Sequence, residues 1–198
     1  MSMLGPAALA CMVASGCVAE GAARVSNNDR LAAAVAALDA SHRVAASFPL
    51  NDANVMYVLD EASVSDSVRG KLALSKATSP DVKRYGAMML AEHRALRTEG
   101  RTLAAKLGVQ PEAPPRELGT ARAKAVLDSL IALPRGVEWD KAFIAAEVAS
   151  HRDVLEKTGR AASTIHLADV VSLINKATPQ LEEHLRLAEE IRTKLAGS

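Results

Sequence analysis

Aromatic residues are scarce in this chain, at 3% of 198 positions. A core without them must be filled by Ala, Leu, Val, Ile and Met. That suits close-packed helices better than a sheet, which favours β-branched and aromatic side chains. Cysteine is nearly absent: Cys11 and Cys17 are the only two, both near the N-terminus. If that segment is removed, the mature chain retains no cysteine pair and must be stabilised by packing. Charge of one sign is also lacking, since 24 Lys and Arg face 23 Asp and Glu, a net +1. Nothing in that balance calls for nucleic acid or an acidic substrate, and Lys71, Lys76 and Lys83 lack interleaved aromatics. Gly-rich phosphate loops, Cys-rich metal motifs and Gly-x-Ser-x-Gly elbows are missing.

Residues 4–19, LGPAALACMVASGCVA, are apolar and small, and too short for a secure transmembrane span. They read as the apolar core of a secretory signal covering residues 1–19, although no basic residue precedes Leu4. The tetrad Ala14-Ser15-Gly16-Cys17 resembles a bacterial lipobox with Ala in place of the usual first Leu. Lipidation at Cys17, with the membrane as partner through that anchor, and simple cleavage nearby both fit. A buried N-terminal helix with two inert thiols is the bland alternative. Residues 20–50 read as a tether carrying an Ala-rich helix over 29–46, ended by Phe48-Pro49.

From residue 51 to 196 the periodicity predicts one all-α domain, a four-helix bundle with a short crossover helix. The long helices are expected over about 53–77, 80–107, 138–162 and 167–195, with the crossover helix over 118–132. Asn51 or Asp52 is a ready N-cap for the first, and Ser79 followed by Pro80 for the second. Gly108 stops the second, and a Pro-rich connector over 110–116 follows. Pro179 falls inside the last helix and should kink it.

Polar residues interrupt each apolar stripe. Asp66 stands four after Ala62 and four before Gly70. His93 follows Met89 by four, His151 follows Val148 by three, and His184 follows Leu181 by three. Each long helix thus brings one ligand-type residue inward, and Glu147 precedes His151 by four on the same face. Buried unpaired polar groups cost about 2–7 kcal/mol each, so these residues need each other, water or a metal. Inward carboxylates and imidazoles on facing helices are how bundles build metal sites. The set His93, His151, His184, Asp66 and Glu147 suits a divalent transition metal: zinc, iron or copper. Met89 could add a thioether to copper.

Relative height gives a mixed test. Counted from Ser79, Asp66 lies 13 residues back and His93 14 on, which is level. Counted from Thr164, His151 lies 13 back and His184 20 on, a mismatch of roughly 10 Å at about 1.5 Å per residue. A satisfied core histidine is the bland reading of any one of the three. The diiron pattern, Glu-x-x-His on two helices, is absent because Glu147 and His151 are four apart, so no ferroxidase chemistry is expected. His42 and His166 read as solvated or capping residues, and Trp139 and Tyr57 as packing anchors.

Several stretches together resemble a known bacterial family. They are Gly70-Lys71-Leu72-Ala73-Leu74, Thr78-Ser79-Pro80-Asp81-Val82-Lys83, Met88-Met89-Leu90-Ala91-Glu92-His93, Ala142-Phe143-Ile144 with His151, and Thr178-Pro179-Gln180-Leu181-Glu182-Glu183-His184-Leu185. The family is domain of unknown function 4142, often labelled membrane or outer-membrane proteins. The resemblance covers about residues 50–192. It implies a ferritin-like helical bundle exported to the cell envelope, in the periplasm or outer membrane, with no assigned activity. His93, His151 and His184 match its recurring histidines. Asp66 stands where members usually carry Glu, and Val68 and Arg69 depart from the Glu-Leu that follows.

Two functions are therefore expected: an envelope metal-binding protein, or a non-catalytic structural or interaction module tethered to a membrane. Catalysis is the weaker expectation, because no nucleophile–base pair is present.

Overall fold

The computed structural model describes residues 49–115 and 119–197, together with five isolated positions between 26 and 36. The expected signal segment over 1–19 with Cys11 and Cys17, His42, and most of the Ala-rich helix expected over 29–46 lie outside the described residues. Within them the architecture is all-helical. Helix α1 spans Asp52–Lys76, α2 Pro80–Leu107, α3 Gly119–Ala132, α4 Val137–Ala161 and α5 Ala168–Ala196.

Local chemistry sets the ends. Asn51 caps α1 in a capping box, its side chain accepting from the Asn54 N–H while Asn54 accepts from the Asn51 N–H. Gly108 closes α2 in the left-handed conformation, with φ of 65°. The expected Ser79 side-chain cap is not made. Instead the Asp140 carboxylate, from the first turn of α4, accepts the Thr78 and Ser79 N–H groups at 3.0 and 2.7 Å. Those N–H groups precede the helix, so the carboxylate ties down its entry and sets negative charge at the positive helix end.

The four long helices run up, down, down and up. Asn54 Nδ2 donates to the Glu112 carbonyl, which puts the end of α2 beside the start of α1. Helix α3 then climbs the outside of α1: the Tyr57 and Thr120 hydroxyls pair near its start, and Lys76 Nζ binds the Leu130 and Leu133 carbonyls at its end. Neighbours α1–α2, α4–α5, α1–α4 and α2–α5 close the ring. Helix α5 is continuous through Pro179.

The core has two halves. The upper half holds Val82, Tyr85, Met89, Phe143 and Ile144. There Trp139 stacks on Phe143 at 5.3 Å and donates its indole N–H to the Leu130 carbonyl, so it anchors packing as expected. The lower half holds Val55, Leu59, Leu96, Leu173, Ile174 and Leu181. A layer of polar side chains lies between them, formed by Asp66, Arg69, His93, Glu147, His151 and His184.

The height mismatch expected across α4 and α5 is largely a counting effect. The Thr164 hydroxyl donates to the Leu50 carbonyl, and the His166 and Leu167 N–H groups donate to the Asp52 carboxylate. Residues 164–167 therefore cross the base of the bundle under α1 and add little rise. Measured from Thr164 and from Ala168, His151 and His184 stand 13 and 16 residues above the base. The difference is about 4.5 Å, within reach of imidazole side chains.

Candidate metal centre

The inward positions on four helices bring His93 (α2), His151 (α4), His184 (α5) and Asp66 (α1) to one level, each 1% exposed. His93 Nε2 lies 3.3 Å from His151 Nε2, and His151 Nε2 lies 3.3 Å from His184 Nδ1. One nitrogen of each ring falls within 4.8 Å of the other two. Asp66 Oδ2 is 3.4 Å from His93 Nε2 and 4.0 Å from His151 Nε2.

The far side of each ring fixes where its proton sits. His151 Nδ1 is 2.9 Å from the Glu147 carbonyl oxygen, an acceptor only, so Nδ1 carries the hydrogen and Nε2 presents a lone pair. His184 Nε2 is 2.8 Å from Glu92 Oε2, so it donates there and Nδ1 presents a lone pair. Two lone pairs thus face each other at 3.3 Å with no hydrogen between them. His93 Nδ1 is buried without a partner.

Asp66 is held by its other oxygen. Oδ1 accepts from Arg69 Nη2 and from Ser150 Oγ, leaving Oδ2 toward the imidazoles. Arg69 Nε donates to Glu147 Oε1 at 2.7 Å. Glu92, partly exposed, also accepts from Gln180 Nε2.

The electrostatics follow from burial. Burial lowers all three imidazoles and takes His93 to about 4, despite the opposing pull of Asp66. Burial pushes Asp66 up, but Arg69 and the neighbouring imidazoles outweigh it and hold the carboxyl below its ordinary range. Glu147 goes the other way. Burial, aided by the Asp66 charge, raises it to about 7 against the pull of Arg69. At neutral pH the rings are uncharged and able to ligate.

All five residues expected from the stripes meet in this layer, with Glu147 reaching it chiefly through Arg69. Arg69 and Glu92 were not expected as site residues. Arg69 stands three after Asp66 and four before Ala73, so the stripe itself carried the signal. Glu92 carried none beyond adjacency to His93. Met89 is fully buried in the upper core, one turn from His93. His166 is exposed and engages Asp52 through its backbone.

The ring of helices and its interrupted core define a class: an up-down-down-up bundle with one buried imidazole–carboxylate layer, whose ligand types could hold a metal ion. The chain belongs to the family described as domain of unknown function (DUF4142), whose model matches residues 23–191. Among solved structures it is similar to "CopM in the Cu(II)-bound form", at 12% identity and a TM-score of 0.60, over 74% of this chain and 99% of that chain. At that identity the likeness is one of fold. No curated protein matches the chain. Among the described residues, no helix is long and apolar enough to cross a membrane.

Proposed function

We propose that this chain is an exported envelope protein that binds one divalent transition-metal ion, zinc, iron or copper, through His93, His151, His184 and Asp66. The observation that carries the reading is the pair of opposed lone pairs on His151 and His184. Tetrahedral coordination with bonds of about 2.0–2.1 Å sets ligand nitrogens about 3.3–3.4 Å apart. The two 3.3 Å separations match that edge. Charge supports the same reading. Asp66 and Glu92 are negative, Glu147 can ionise near neutral pH, and Arg69 brings one positive charge, so the carboxylates favour a further cation in the layer.

The competing reading, a polar layer that only fixes helix register, leaves the His184 Nδ1 lone pair without a hydrogen-bond partner. Such an orphan costs about 1–3 kcal/mol. The donor set is nitrogen and oxygen with no thiolate, which suits all three metals. The fold likeness to a copper-bound protein makes copper(II) the first ion to test.

Metal analysis of the full chain, stripped with chelator and reloaded with copper(II) or zinc, tests the proposal. One ion per chain is expected, lost in His151→Ala and in the double variant His93→Ala/His184→Ala. Absence of stoichiometric metal under both loadings would defeat it. The apolar N-terminal run and the Ala14–Cys17 tetrad support export with a lipid on Cys17. Intact-mass measurement of the membrane fraction checks this. A chain cleaved elsewhere and free of acyl mass excludes the anchor.

A further inference from the structure

We infer that Arg69 is a built-in cation that fills a second cation position beside the proposed metal site and thereby limits the chain to one metal ion. The inference rests on that metal-binding reading and adds its stoichiometry.

Asp66, Glu147 and His151 form a second group whose ligand atoms lie within 4.8 Å of one another, and it shares His151 with the imidazole group. Since His151 turns Nε2 to the imidazoles and donates Nδ1–H to the Glu147 carbonyl, the carboxylates of Asp66 and Glu147 are what a second cation would use. The guanidinium of Arg69 stands there instead, binding Asp66 Oδ1 through Nη2 and Glu147 Oε1 through Nε. Arg69 is 2% exposed, so it is committed to this layer rather than to solvent. Glu147 is fully buried, yet its Oε2 has no hydrogen-bond partner. One arginine thus serves two buried carboxylates and leaves a carboxylate oxygen available to a further cation. An apolar residue in place of Arg69 would leave both carboxylates without a cation, a state that a metal dication can relieve. The way in also exists: a cleft between α1, α3 and α4 is lined by Arg69, Ser150, Ser65 and Tyr57, so it reaches the Arg69 side of the layer.

The experiment counts metal per chain by native mass spectrometry, using manganese(II) and zinc separately as probes, in full-length wild type, Arg69→Leu and Arg69→Leu/Glu147→Gln. Wild type is expected to take one zinc, Arg69→Leu two, and the double variant one. If Arg69→Leu is unfolded without metal, it is titrated with zinc while helicity is followed. Refolding that requires two equivalents supports the inference. One equivalent in folded or refolded Arg69→Leu, or failure to refold with zinc while the double variant folds, overturns it. Wild type that binds no metal instead sinks the underlying metal-binding reading, a result distinct from these.

Discussion

His93, His151 and His184 are held neutral by burial, and this sets how the metal-free protein responds to acid. The folded pKa of His93 is about 4, below the ordinary 6.5, so between these values the unfolded chain binds a proton that the fold refuses. Stability from this residue is complete above about 6.5 and is lost as pH falls through about 4, on the order of 3 kcal/mol. His151 and His184 act in the same direction. Glu147 opposes them: its pKa is raised to about 7, so its contribution is lost as pH rises from its ordinary 4.5. Three imidazoles outweigh one carboxyl. Chelator-treated protein should melt progressively lower from pH 7 to pH 4.5, and Glu147→Gln should steepen that slope. A melting temperature flat across this range would contradict the burial argument. Glu92 tests the site from outside. Its carboxylate orients His184 through Nε2, an arrangement whose loss typically weakens metal affinity about 10–100-fold. Glu92→Gln should do so with little change in metal-free stability, because the residue is partly exposed.

The contact between α1 and α2 sets the height of Asp66 against His93. A Cβ on Gly70 would lie 2.6 Å from the Gly86 carbonyl oxygen and 2.9 Å from the Leu90 nitrogen. Both partners are helix backbone and cannot step aside. Gly70→Ala should therefore force the helices apart, costing about 1–3 kcal/mol and weakening metal binding together. Asp140→Ala is the control. It removes the carboxylate that ties down the start of α2, at about 1–3 kcal/mol, but lies two turns from Glu147, so metal stoichiometry should hold. Chemical denaturation and metal titration of both variants separate the two effects. The helices themselves were legible in the sequence, with ends within a residue or two of those expected, because residues such as Asn51, Pro80 and Gly108 mark them locally. Asp140 was not legible as the residue that ties down the start of α2, since a contact across some 60 residues leaves no local trace. The level placement of His151 and His184 was hidden for a related reason: spacing along a chain does not say which loop residues run sideways.

At the scale of the molecule, the polar layer separates two apolar halves of the core, the upper one carrying the buried aromatics. The inward histidines and Asp66 could be read from the sequence because a polar residue on an apolar stripe has to be accounted for. Arg69 was harder to see, since a long basic side chain is ordinarily read as reaching solvent, and only tertiary packing turns it inward. Family membership and bundle fold are properties of the whole chain. The metal is a property of a few atoms, and it is there that the account is most exposed. The most direct measurement is X-ray absorption fine structure of the full chain loaded with one equivalent of copper(II) or zinc. The account predicts a first shell of nitrogen and oxygen at about 2.0–2.1 Å, with the multiple scattering of three imidazoles and no sulfur. A shell with fewer than two imidazoles, or one dominated by water, would contradict it.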